Sequence, residues 1–447
     1  MRRRIATYTP LFFILLLVVA ACGDNHNMDQ QRGSNRNSYI NCPAHPNTTA
    51  AAPESGTVTL TVSGWTSTPA EDALVQHNLH NFEATHPRIK LKWSPIPGDY
   101  LTKMRANVAG NTVPDVFYLQ PEMSSAYISA GKLLNLSPYM ARDGIKPGDY
   151  YAALLDPFIC SHGQVYGLPK DWSSLGIFYN KRMFQAAGLA APEAHWTWSD
   201  MQRAAQKLTK NPGTPQAVYG AVLSADLSRW GAFLFTAGGS VLNRDGTQAA
   251  FNNPQGIAAL QFYESFFQSN TGALPTTVGA PWSGDAFGKQ RAAMVVEGNW
   301  LIPYLTSTYP GMQYGIAPIP VAPNGKRANL TFTNAWSASA GTEHPEAAWE
   351  LLKYMTGSTV QESQLNAGFA LPTLKSLANA PYFTTHPDAR VLFEAAPYGH
   401  ADYYGPQNAT IHTDVSNAID AVLLNKQDAR SALNEAAIRV NNQLQEG

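Results

Sequence analysis

An α/β fold, sized for two folded units or one two-lobed body, follows from three features of the sequence. The chain has 447 residues, more than a single core usually supports. Hydrophobic residues make up 44 % and charged residues 14 %, so a large core meets a surface built on Ser, Thr, Asn, Gln and Gly rather than on ions. From residue 57 onward, alternating apolar runs and helical apolar stripes follow one another, which predicts strands and helices in turn.

Folded structure is expected to begin at Thr57. Thr57-Val-Thr-Leu-Thr-Val62 alternates as a strand does, and Gly64-Trp65-Thr66 ends it. Residues 70–85 carry Leu74, Leu79 and Phe82 on one helical face, and Pro87 stops them. Ile89-Lys-Leu-Lys-Trp93 alternates again. A helix over 100–109 is capped by Gly110, Asp115-Val-Phe-Tyr-Leu119 is a short strand, and Pro121 opens another helix. This order argues a mainly parallel sheet covered by helices. Ligands on such sheets sit beyond the strands' carboxyl ends, here 63–66 and 119–122.

The middle repeats the style. Val165-Tyr-Gly-Leu-Pro169 reads as a strand edge and turn, and Leu175-Gly-Ile-Phe-Tyr179 as a buried strand. Asn180 caps a following helix, and Thr197-Trp198-Ser199-Asp200 is a capping box. Helical periods follow at 227–236, 255–268 and 300–307, with strands at 292–296 and 314–317. An extended run over 329–339 precedes almost purely helical sequence: 345–355, 360–367, 414–424 and 428–444. No internal repeat is visible, which argues against a solenoid.

The N-terminus carries an address. Arg2, Arg3 and Arg4 precede an apolar run over 11–21, short for a membrane span and suited to a secretory signal. It ends in Val19-Ala20-Ala21-Cys22, a pattern that resembles a bacterial lipobox, so Cys22 is the expected site of lipid attachment. The expected location is therefore extracytoplasmic, anchored to the cell membrane. Residues 23–56 lack an apolar period and are expected to form a flexible tether. Cys42 and Cys160 then either pair as a disulfide or stay free.

The net charge of −1 supplies no reason to expect a nucleic-acid partner. His77, His80, His86 and His162 follow no metal spacing, so neither a metal nor another cofactor is expected. No nucleophile elbow, P-loop or His-Glu-x-x-His motif is present.

Several runs resemble, in order, the family 1 extracellular solute-binding proteins, the carbohydrate-binding group of ABC importers that includes maltose-binding proteins. They are Val113-Pro-Asp-Val-Phe-Tyr118, Tyr166-Gly-Leu-Pro-Lys-Asp-Trp-Ser-Ser-Leu-Gly-Ile-Phe-Tyr-Asn180, Thr197-Trp198, Phe287-Gly-Lys-Gln-Arg-Ala-Ala-Met-Val-Val-Glu-Gly-Asn-Trp300, Tyr314-Gly-Ile-Ala-Pro-Ile-Pro320, Asn334-Ala-Trp-Ser-Ala338 and Ala347-Ala348-Trp-Glu-Leu-Leu-Lys-Tyr-Met355. The resemblance implies a periplasmic-binding-protein-like fold, two α/β lobes around a hinge and a central ligand cleft. The implied chain path is a signal peptide over 1–22, the tether over 23–56, lobe 1 over 57–170 and 336–386, and lobe 2 over 171–335 and 387–447. Hinge crossings are implied near 169–174, 334–340 and 384–390.

It also implies a monomer that captures a small molecule, expected to be a sugar or oligosaccharide, and delivers it to the membrane subunits of an ABC importer. The same fold binding a non-sugar solute, or presenting ligand to a membrane sensor, is the alternative. A sugar needs flat aromatic faces and side chains that donate and accept. On strand ends and family motifs, the candidate contacts are Trp65, Tyr118, Gln120, Asp171, Trp172, Trp230, Glu297, Trp300, Asn334 and Trp336, with Tyr403 and Tyr404 weaker. Trp300 is the leading platform, beside Gly298, which lets the backbone approach closely. Two facing carboxylates can run glycoside hydrolysis, and Asp171 with Glu297 could in principle form such a pair. No catalytic residue is assigned.

Overall fold

The protein is described here from a computed structural model, over residues 40–66 and 69–446. Cys22 and the signal segment lie outside the described residues.

Among the described residues, ten strands form one sheet. They are β1 (Val58–Ser63), β2 (Ile89–Trp93), β3 (Val116–Leu119), β4 (Leu168–Asn180), β5 (Tyr219–Val222), β6 (Gly272–Ala273), β7 (Ala292–Gly298), β8 (Tyr314–Ala317), β9 (Asn329–Ala338) and β10 (Gly399–Ala401). The order is β2-β1-β3-β9-β4-β7-β5-β6, with β10 on β9 and β8 on β4. The first three pair in parallel, and so do β7, β5 and β6. β4 and β9 run antiparallel to each other, β4 also to β7 and β8 and β9 to β3, while β10 lies parallel to β9. The expected parallel sheet therefore holds within each half and fails at the junction, where the chain passes between halves in both directions.

Two lobes follow from the packing. In the first, α1 (Pro69–Thr85), α2 (Tyr100–Ala109) and α3 (Pro121–Ser129) join the strands in alternation. Phe82, Met104, Phe117 and Leu119 bury into one core with Trp336 and Trp349. The second lobe has a core on each sheet face. Ile177 and Val296 point to one, with Trp230 and Phe233, while their neighbours Phe178 and Val295 point to the other, with Phe287 and Leu392. Strand alternation imposes that split.

Leu168-Pro169, the end of the strand edge expected over 165–169, and Leu175–Tyr179, expected as a separate strand, are parts of one 13-residue strand, β4, while Val165 forms an isolated bridge with Ile159. Its residues 168–174 pair with β9 and 175–180 with β7 and β8, so β4 spans both lobes. The third crossing falls earlier than expected. Val360 packs in the first core, whereas Leu365, Leu371 and Phe383 already pack in the second lobe's outer core. The expected boundary at 386 therefore moves to about 360–371, since apolar burial rather than motif position decides which lobe holds a segment.

The tether expected over 23–56 is also shorter than composition implied. Over 40–56 the chain lies on the first lobe without regular structure. Ile40 is fully buried, and Asn47 and Asn135 exchange three hydrogen bonds of 2.8–3.0 Å. Cys42 and Cys160 form a disulfide with Cα atoms 5.0 Å apart. Polar pairing and a covalent link hold a segment that buries little apolar surface. The helix expected over 414–424 starts a turn and a half earlier, as Asn408–Leu423, with Ile411 on the buried face. The Thr197–Asp200 capping box is formed, with Asp200 N 3.2 Å from Thr197 Oγ1 and Thr197 N 2.9 Å from the Asp200 carboxylate.

Candidate functional site

Where β1, β3, β4 and β9 meet, aromatic rings and charges gather. Trp65 follows β1 and is partly exposed. Its ring centre lies 4.5 Å from that of Tyr118 on β3, which in turn lies 4.3 Å from Trp336. Gly64 makes room, because a Cβ there would stand 2.4 Å from the Tyr118 ring. Asp171 and Asn334 face each other across the β4–β9 ladder, Asn334 Nδ2 donating to Asp171 at 3.3 Å. Lys170, buried, is ion-paired to Asp171. Burial pushes the Tyr118 phenol well up, and the charges of Asp171, Glu71 and Asp72 add to it. Gln120 caps α3 and is partly exposed.

The second lobe contributes a network around Glu297 at the end of β7. Its carboxylate is fully buried and accepts from Arg229 Nη2 at 2.9 Å, from Trp300 Nε1 at 2.8 Å and from Ser283 Oγ. A buried carboxylate persists only when paired and hydrogen-bonded in this way. Burial pulls the Arg229 pKa down, but Glu297 and Asp226 outweigh it and hold the guanidinium charged. That guanidinium sits 5.4 Å from the Trp300 ring centre. Gly298 lets the indole lie on the strand end, since a Cβ there would stand 2.4 Å from it. Trp300 keeps part of its surface open.

A third polar group is centred on Asp402. Ser228 Oγ donates to Asp402 at 2.6 Å, and His412 Nε2 is 3.1 Å from Asp402. Burial lowers the His412 pKa, but Asp402 and then Glu122 of α3 more than compensate and raise it. Burial and the nearby Asp402 raise Glu122 in turn.

Three of the expected contacts are buried in the cores. Trp172 is 2 % exposed, donates its Nε1 to the Pro372 carbonyl at 2.8 Å and packs on Phe393. Trp230 and Trp336 are wholly buried in the second-lobe and first-lobe cores. Trp172 and Trp230 each stand one place from a partly exposed side chain, Asp171 and Arg229, as strand and helix periodicity allow, whereas Trp336 lies between the buried Ala335 and Ser337. Tyr403 and Tyr404 are likewise buried, one in each lobe's core. Lys170, Arg229, Ser283, Asp402, His412 and Glu122 were not among the candidates. A lysine beside an aspartate inside an apolar strand, and an arginine one place before a core tryptophan, were the signals available for the first two.

Asp171 and Glu297 are both committed to internal partners, so neither stands as a free acid or base. No group of three His, Cys, Asp or Glu able to hold a metal occurs among the described residues. His86 stacks on Phe82 with ring centres 4.1 Å apart. A surface hollow lined by Glu54, His86, Arg88, Glu346 and Glu350 lies on the first lobe, remote in sequence and contacts from the groups above.

Known proteins share this architecture. Over residues 64–362 the chain matches the family described as bacterial extracellular solute-binding protein. A galactooligosaccharide-binding protein of Bacillus subtilis is 23 % identical over 378 residues, covering 81 % of this chain and 85 % of that one. An ABC substrate-binding protein from Listeria monocytogenes, solved with cycloalternan, superposes with a TM-score of 0.75 at 24 % identity, over 87 % of this chain and 99 % of its own. UgpB from Mycobacterium tuberculosis, solved with glycerophosphocholine, gives 0.73 at 22 % identity, over 86 % and 98 %. With the family matched over residues 64–362, more than half of the chain, this chain belongs to the bacterial extracellular solute-binding proteins, a family of binding proteins rather than catalysts.

Proposed function

We propose that the protein is a lipoprotein, anchored outside the cytoplasm through Cys22, that captures a sugar or oligosaccharide as a monomer and delivers it to the membrane subunits of an ABC importer. One observation carries the sugar half. Trp65 and Trp300 each stay partly open beside hydrogen-bonded carboxylates, one packed on the first lobe and one on the second. A sugar offers C–H faces to such rings and hydroxyls to such carboxylates. Trp65, Tyr118, Gln120, Asp171, Glu297, Trp300 and Asn334 are the proposed contacts, with Lys170 and Arg229 added. The basic n-region, apolar run and Cys22 support the anchor. The sugar-named relatives favour carbohydrate.

The test is a thermal-shift screen over neutral mono- and oligosaccharides. A binder should raise the melting temperature, since a ligand at 100 times its Kd adds about 2.7 kcal/mol. Trp300→Ala should weaken binding by about tenfold or more while the unliganded protein still folds. If no saccharide moves the transition, the carbohydrate assignment falls. A shift with a glycerophosphodiester alone would favour the non-sugar reading, which the glycerophosphocholine complex of a structural relative motivates.

A further inference from the structure

The ladder between β4 and β9 has one irregularity. Pro169 faces Ala335 and Asp171 faces Asn334, so Lys170 is the extra residue of a β-bulge. In a regular strand, adjacent side chains point to opposite faces. At this bulge they converge, and Lys170 Nζ is ion-paired to the carboxylate of its immediate neighbour. The Lys170 side chain is only 3 % exposed, whereas Asp171 keeps 16 %. The ammonium rests 4.4 Å from the Tyr118 ring centre and 5.0 Å from that of Trp65.

An ammonium has three N–H donors. One meets Asp171, and ring faces attract the rest electrostatically without supplying strong acceptors. Burying an ion pair is expensive, and a bulge interrupts the ladder. An apolar residue in a regular strand would fill the same space without either cost. The arrangement therefore has an explanation only in what it offers to an incoming molecule: a donor and an acceptor side by side, next to two aromatic faces, with no net charge.

We propose that this bulge is the specificity element of the cleft. Lys170 donates to one hydroxyl oxygen of the ligand while Asp171 accepts from the adjacent O–H. The site thus selects a vicinal diol on a neutral sugar and rejects uronic acids and amino sugars at that position. A ligand carboxylate would lie against Asp171, and a ligand ammonium against Lys170, each a like-charge contact in a partly desolvated place. The proposal rests on the sugar reading above.

Calorimetric titration of the full chain decides it, with maltotriose, galactose and glucose beside galacturonate, glucuronate, galactosamine and glucosamine. A neutral saccharide should bind at least tenfold tighter than its charged counterparts. Lys170→Met, which keeps the apolar stem between the rings, should lose tenfold or more for that saccharide and lose the discrimination against the amino sugar. Lys170→Arg should keep that discrimination at intermediate affinity. Should Lys170→Met fail to fold, Asp171→Asn carries the test by admitting the uronate. Neutral binding and charge selectivity unchanged in the variants would overturn the role of the bulge and leave the sugar reading standing. Wild-type protein that binds charged and neutral forms alike would do the same. No binding by any saccharide would overturn both.

Discussion

His400 shows how burial by one neighbour sets a measurable property. It lies on β10, flat against Phe235, with ring centres 4.2 Å apart and 7° between planes. Burial lowers its pKa from 6.5 to about 4. The unfolded chain therefore takes up a proton below about pH 6.5 that the folded protein refuses until about pH 4. Stability should be fully present above pH 6.5, fall as the pH drops toward 4, and level off below. The loss attributable to this group is on the order of 2–3 kcal/mol at most. Urea titrations between pH 7 and 4 measure it, and His400→Gln should flatten that part of the slope. An unchanged slope in the variant would assign the acid sensitivity to other groups. Asp143 acts at lower pH: Arg142, Lys353 and the Trp349 indole hold its carboxyl well below the usual range, so its contribution persists above the ordinary carboxylate pKa and is lost in strong acid.

At the scale of an element, the segment over 40–56 is a strap rather than free chain. Its disulfide closes a sequence separation of 118 residues, spanning most of the first lobe's strands and helices. A crosslink restricts the unfolded chain and so stabilises the folded one, by about 2–4 kcal/mol in typical cases. Replacing Cys42 and Cys160 together by Ser should lower the melting temperature and open 40–56 to proteolysis, while leaving ligand affinity unchanged. Equal melting curves for the two proteins would show that the Asn47–Asn135 pairing alone holds the strap.

For the whole molecule, the relevant fact is that β4 and β9 belong to both lobes. β4 contributes one end to the first-lobe sheet and the other to the second-lobe strands, β9 runs from Leu330 in a second-lobe core to Ala335, Trp336 and Ala338 in the first-lobe core, and a third crossing lies at about 360–371. Few residues need change their backbone angles for such lobes to close by a hinge motion. A saccharide that raises the melting temperature should therefore also reduce the radius of gyration in solution scattering. A rise in melting temperature with no change in scattering would mean that ligand binds without closure, and the hinge role of these strands would fail.

Local chemistry carried much of this in the sequence itself. The alternation in Thr57-Val-Thr-Leu-Thr-Val62, the stripe of Leu79 and Phe82, and the Thr197–Asp200 box depend on neighbours a few residues away, so strand, helix and cap were legible as they stand in the fold. Order along the chain also sufficed for the family, because its motifs recur in sequence rather than in space. What only the tertiary structure decided is which aromatic side chain is buried in a core and which keeps part of its surface open. Trp172 and Trp230 each sit one residue from a partly exposed polar side chain, so a single step along a strand or helix reverses the outcome, whereas Trp336 is flanked by the buried Ala335 and Ser337. A bulge alters that rule at one residue only, and nothing in Pro169-Lys-Asp marks it before β9 is laid alongside. The strap was hidden for a related reason: composition reports how much apolar surface a segment can bury, not whether a distant Cys160 and Asn135 lie within its reach.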